Sequence, residues 1–172
     1  MIVVSDTSPL NYLILIRQDH VLPALFGRVI APPAVMAELE HPATPPAVRA
    51  WATSPPVWLE IRRPAAIDPG LRVGPGEAEA ISLARELSAD ALLIDERKGL
   101  TIAHQMGIFV TGTLGVLEIA AEKGLTRLPD AIAALRQTSF RVSESLLNEA
   151  LARDADRTRV RQHNPPPGQR PA

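Results

Sequence analysis

A chain of 172 residues with 46% hydrophobic and 22% charged residues has the length of one domain and enough apolar material for a real core. Aromatics make up only 3%, so that core is aliphatic, and the chain contains no cysteine, which excludes disulfide scaffolds, thiolate metal sites and cysteine nucleophiles. The formal charge of −1 hides an acidic body, with 13 basic against 17 acidic side chains in residues 1–152, and a basic end in which five arginines face Asp154 and Asp156; a body of that sign lacks the basic patch of an ordinary nucleic-acid binder.

The first apolar run, Ile2-Val3-Val4, ends at Ser5-Asp6 and reads as a buried strand. Ser8-Pro9 then predicts an N-cap followed by proline at the first helical position, and Leu10, Leu13 and Ile14 continue as one helical face. The apolar stretch here, Tyr12 to Ile16, is far too short to span a bilayer. Asp6 rather than a basic segment precedes it, which predicts a cytoplasmic chain with no secretory signal and no membrane partner. A second apolar segment, Val21 to Phe26, stops at Gly27, and Val29-Ile30 reads as another short strand. Pro32-Pro33 opens a helix with Val35, Met36 and Leu39 on one side and Glu38 near its end; His41-Pro42 closes it, because the residue before proline avoids the helical region.

A further helix is predicted from Pro45 to Ser54, and Val57 to Ile61 reads as a strand. Residues 62–76 form a loop rich in Pro, Gly and Arg that delivers the chain into a helix beginning at Glu77, with Ala80, Ile81, Ala84 and Leu87 on its apolar face. Ala91 to Ile94 is a strand ending in Asp95; a helix over Gly99–Gln105, a strand over Ile108–Val110 and a helix from Leu114 to Glu122 follow, with Gly124 as its C-cap. Pro129-Asp130 starts another helix, and a last one runs from Val142 to about Arg153. Strands that are continuously apolar and alternate with helices predict a three-layer α/β/α sandwich around a mostly parallel central sheet. The expected organisation is one domain over residues 1–142, a C-terminal helix and basic extension over 143–162, and a disordered proline-rich tail over 163–172.

In open parallel sheets, sites form outside the carboxyl ends of the strands. Asp6 and Asp95 each follow a strongly apolar strand, while Glu38 and Glu77 lie on helices that could present them to the same edge. If the four converge, their repulsion favours a bound cation, and hard oxygen donors without Cys or His suit Mg²⁺ or Mn²⁺. Such a cluster can activate water against a phosphodiester. Each acid also has a plainer role: Asp6 as a helix cap, Glu38 as a solvated helix residue, Glu77 and Glu79 as partners of a helix dipole, and Asp95 as the start of a charged turn with Glu96, Arg97 and Lys98.

Several segments taken together resemble a PIN-like domain, of a bacterial and archaeal group related to type II toxin ribonucleases. They are Val4-Ser5-Asp6-Thr7-Ser8-Pro9-Leu10, Gly27 to Val35 with Glu38, Gly76 to Ala84, Leu92 to Arg97, and Val110 to Gly115, in that order over about residues 2–150. The resemblance implies a Mg²⁺- or Mn²⁺-dependent endoribonuclease acting on RNA, with a cognate antitoxin as partner where the protein is a toxin. It places the acids of the family at Asp6, Glu38, Glu77 and Asp95, with Glu79 as the weaker candidate for the third place. That third acid is usually an aspartate; the glutamate here changes metal reach. The polar residue near the last strand corresponds to Thr111 or Thr113, and Thr113 equally suits a helix N-cap.

Arg97 and Lys98 are placed to contact a phosphate or to pair locally, and the four histidines show no metal spacing. Trp51 and Trp58 read as packing residues, and the aliphatic helices Ser8–Ile16 and Pro45–Ser54 as surfaces for an antitoxin or a homodimer. The alternative function is a catalytically weak or inactive PIN-like module that binds RNA or protein. An aspartyl phosphatase is disfavoured because position 8, where a second acid is needed, is serine.

Overall fold

The structure, a computed structural model, describes residues 1–163; the expected disorder of the proline-rich end falls on residues outside the described ones. It divides into two compact units, Met1–Val116 and one beginning at Leu117. In the first, strand β1 (Val3–Ser5) leads into helices α1 (Thr7–Leu15) and α2 (Val21–Phe26), then β2 (Val29–Ala31), α3 (Pro33–Leu39), α4 (Pro46–Thr53) and β3 (Leu59–Ile61). Helix α5 (Pro75–Glu86), β4 (Ala91–Leu93), α6 (Arg97–Gln105) and β5 (Val110–Thr111) follow, and α7 (Thr113–Glu122) carries the chain into the second unit. There, α8 (Leu128–Leu135) packs against α9 (Glu144–His163).

All five strands are parallel, in the order β3-β2-β1-β4-β5. The chain therefore moves outward from β1 to β3, returns across the sheet through α5, and continues in the other direction. Right-handed crossovers consequently lay helices on both faces, giving the predicted α/β architecture. Burial on both faces explains why Val3, Val4, Leu92 and Leu93 are all fully buried and why these strands read as unbroken apolar runs. Ala80, Ile81, Leu83 and Ala84 of α5 join Val4, Ile30, Leu92 and Ile94 in one aliphatic core.

Local signals shift several boundaries. Helix α1 begins at Thr7 with Asp6, not Ser8, at the N-cap, because β1 runs to Ser5 and leaves a single extended residue for the change of direction. Pro9 thus falls in the first turn, where it still displaces no hydrogen bond. Helix α5 starts at Pro75, two residues before Glu77, and α6 at Arg97 rather than Gly99. Strands β3 and β5 are shorter and later than predicted, and Val57 is fully exposed. Helix α9 starts at Glu144 and continues well past Arg153, through the Arg-rich segment; i,i+3 pairs Arg157–Asp154 and Arg159–Asp156 lie along it.

The apolar side chains of α1 and α4 that suggested a docking surface are consumed internally: Leu10, Leu13 and Val48 are fully buried, and the two helices pack together. Trp51 and Trp58 do pack, with ring centroids 5.9 Å apart, and the Trp51 indole N–H donates to Asp19. Among the described residues no helix is long and apolar enough to cross a membrane.

Candidate functional site

The order in which the chain adds strands reverses between β1 and β4, and in parallel sheets such a switch point opens a crevice at the carboxyl edge. Asp6 and Asp95 stand there. Ser5 is in register with Leu93, and the Asp6 N–H donates to the Leu93 carbonyl at 2.9 Å, so the two chain segments are tied together just where they leave the sheet. Asp6 is only 3% exposed, and although its backbone is the N-cap of α1, its carboxylate makes no cap hydrogen bond. Among the described residues, its Oδ1 is buried without a hydrogen-bond partner. Burial pushes the carboxyl up to about 7, helped by the charges of Glu77, Glu38 and Asp95 and opposed by the Thr7 N–H.

Asp95 has the opposite surroundings. Thr113, fully buried at the start of α7, donates its N–H to Oδ1 at 2.7 Å and its hydroxyl to Oδ2 at 2.6 Å. Burial raises the Asp95 pKa, and these two donors counteract part of that rise. Gly112 is required beside them, because a Cβ there would run into Asp95 Oδ1. Thr113 accordingly uses its side chain on Asp95 rather than on its own helix.

Glu38 projects from α3 toward the start of α5. The Gly76 N–H donates to its Oε1 at 2.8 Å, and the Thr7 hydroxyl donates to its Oε2. A Cβ on Gly76 would lie 2.6 Å from the same carboxylate, so glycine is what lets the α5 backbone approach it. Glu77 is half-buried, and its carboxylate reaches back to the Gly74 N–H at 3.3 Å, serving the first turn of α5. Its pKa is raised, first by burial and then by Glu96 and Glu38, against the pull of the Gly74 N–H and Lys98.

Asp6, Glu38 and Glu77 thus line one cleft of about 490 Å³, together with Glu96, Arg72 and Lys98, while Asp95 interacts electrostatically with Asp6 from beside it. The other two sequence candidates are placed differently. Glu79 is buried and accepts the Ala34 N–H at 2.9 Å, which caps the first turn of α3. Arg97 is exposed at the start of α6 and does not line the cleft, whereas Lys98 does. Thr7, Arg72 and Glu96 belong to the site without standing out in the sequence as site residues. Thr7 could have been found from its place directly after Asp6; Arg72 sits in an irregular loop with no local signal.

Whether the residues fit a divalent cation is decided by the donor set. It is made of hard oxygens, includes a buried carboxylate oxygen with no protein partner, and concentrates negative charge. These features fit Mg²⁺ or Mn²⁺. Among the described residues no three of the acids already stand as a formed coordination sphere, in keeping with the hydrogen bonds that Gly76, Thr7 and Gly74 make to Glu38 and Glu77. A larger hollow of about 590 Å³, bordered by Ile67, Leu71, Ile81 and Met106, has no comparable cluster. Its Asp68 pairs with Arg85 at 3.5 Å, and its Glu86 accepts the Ala65 N–H at 2.7 Å.

A family model described as PIN domain matches residues 2–156. Among solved structures, the chain is similar to a PilT N-terminus domain protein from the hyperthermophilic archaeon Sulfolobus solfataricus P2, at 12% identity and a TM-score of 0.47 over 83% of this chain and 100% of that one. No curated protein matches the chain.

Proposed function

The chain belongs to the PIN-domain family, a family of nuclease type, and from that premise we propose that it is a Mg²⁺- or Mn²⁺-dependent endoribonuclease. The observation that carries this reading is Asp6: a buried carboxylate at the switch point whose Oδ1 has no partner among the described residues and whose pKa is pushed to about 7 in the company of three other acids. A fold does not keep such a group for stability, since an unpaired buried carboxylate costs free energy. A ligand for its charge gives it a purpose.

Asp6, Glu38, Glu77 and Asp95 would hold the cation. When bound, the ion supplies Lewis-acid stabilisation of the phosphoryl oxygens and lowers the pKa of water. Asp6 must give up its proton to serve as a ligand, so cation binding is proton-linked and strengthens toward and above neutrality. Glu77, with a long hydrogen bond to Gly74 and an elevated pKa, would orient the attacking water and take its proton. Asp95, fixed by Thr113, would hold its place throughout.

In this reading the chain is the toxin of a type II toxin–antitoxin pair, its acidic cleft the surface that a basic antitoxin side chain would enter. The test is hydrolysis of single-stranded RNA in Mg²⁺ or Mn²⁺. Wild type is expected to cleave and to arrest growth on expression, and Asp6→Asn to do neither. Equal cleavage by both proteins, with contaminating nuclease excluded, would sink the proposal. Absence of cleavage together with no heat of Mn²⁺ binding would favour a non-catalytic binding module.

A further inference from the structure

The cleft presents an electrostatic problem for the substrate proposed above. Asp6, Glu38, Glu77 and Glu96 all face it, and an RNA backbone brings one further negative charge per nucleotide. Among the described residues, two cations line the same cleft, Arg72 and Lys98. They arrive from separate parts of the chain: Arg72 from the loop that turns into α5 at Gly74, Lys98 from the first turn of α6.

Neither forms an ion pair among the described residues. By contrast, Arg28 and Arg62 are committed to Glu60, and Arg85 to Asp68. Lys98 is close enough to Glu77 for their charges to interact, yet makes no hydrogen bond to it among the described residues. Its position is also unfavourable to its own helix. The first turn of α6 contains no acid and two cations, Arg97 and Lys98, at the end where the helix dipole favours anions. The helix dipole therefore gives no reason for a cation at position 98, whereas the acids of the cleft do.

We propose that Arg72 and Lys98 together form a phosphate clamp that holds the RNA backbone beside the carboxylates. The proposal rests on the endoribonuclease reading for its substrate. The planar guanidinium of Arg72 suits two non-bridging oxygens of one phosphate, and the Lys98 ammonium acts as a point charge on a neighbouring one. Both are binding residues: they draw in and orient substrate.

The experiment measures binding apart from cleavage. A fluorescein-labelled single-stranded RNA is titrated with the full chain carrying Asp6→Asn, at several salt concentrations, with Arg72→Gln, Lys98→Gln, Arg72→Lys or Arg63→Gln added to it. Arg63 is exposed and does not line the cleft, so it controls for charge alone. Arg72→Gln and Lys98→Gln are each expected to lower the slope of log K against log salt by about 0.7 and to weaken binding several-fold. Arg72→Lys should keep the slope, and Arg63→Gln should leave both quantities unchanged. If Arg72→Gln and Lys98→Gln behave like Arg63→Gln, the clamp is wrong. A wild-type protein that cleaves RNA while its Arg72→Gln and Lys98→Gln variants keep its KM and salt dependence removes the clamp and leaves the nuclease. Clamp-dependent binding without cleavage does the reverse.

Discussion

Asp6 and Asp95 leave neighbouring parallel strands at the same edge, yet one carboxylate is finished and the other is not. Thr113 supplies a donor to each oxygen of Asp95, whereas Asp6 keeps a buried oxygen with none. Burial raises the proton affinity of both; at Asp95 two donors from Thr113 oppose it, whereas at Asp6 the Thr7 N–H alone opposes it and three carboxylates reinforce it. Equivalent positions in a fold therefore need not have equivalent chemistry. The hydrogen-bond partner on the next element decides which acid is fixed and which is left for something outside the chain.

The sharpest way to break this contrast is Asp6→Asn, expected to lower RNA cleavage by about a thousandfold or more, measured in initial-rate assays with Mn²⁺. The same change should stabilise the metal-free fold at alkaline pH. Because the folded pKa of Asp6 lies above its ordinary value of 3.8, its contribution to stability is fully present below that value and is lost as pH rises through about 7. At about 1.4 kcal/mol per tenfold change in proton affinity, the loss amounts to a few kcal/mol. Thermal melts in chelator should show wild type weakening between pH 5 and pH 8, Asp6→Asn weakening less, and Mn²⁺ restoring wild type alone. A wild-type curve parallel to that of the variant would show that Asp6 is not the strained group.

Next in size is Thr113→Val, which removes the hydroxyl from Asp95 while keeping shape. It is expected to cost about 1–3 kcal/mol by denaturant unfolding and to turn Asp95 into a second unfinished carboxylate. Thr113→Ser should recover most of the loss. The smallest expected effect is that of Gly76→Ala, whose methyl group meets the Glu38 carboxylate at 2.6 Å. A displacement of Glu38 worth about 1 kcal/mol should weaken Mn²⁺ binding several-fold by calorimetry, with global stability nearly unchanged.

Much of this frame is legible in the chain itself. Asp6 and Asp95 stand out because each ends an unbroken aliphatic run, and a charged group at that point must lie at the sheet's edge. The approach of Glu38 and Glu77 is a different matter, since it depends on how α3 packs against α5 and on the absence of a Cβ at Gly76. No periodicity encodes that. Ser8-Pro9 misleads because capping preference is local, while the end of β1 is set by its pairing with β4, and the tertiary pairing prevails. Arg72 stays hidden because irregular loop residues carry no pattern from which direction can be read.

Glu79 shows how scaffold and site are joined. By capping α3 from α5, its carboxylate works as a brace between the helix that bears Glu38 and the helix that bears Glu77. Loosening that brace would let both acids drift although neither had been altered. Replacing Glu79 would then imitate damage to the working groups, and an inventory of essential positions drawn from activity alone would count a strut among the tools.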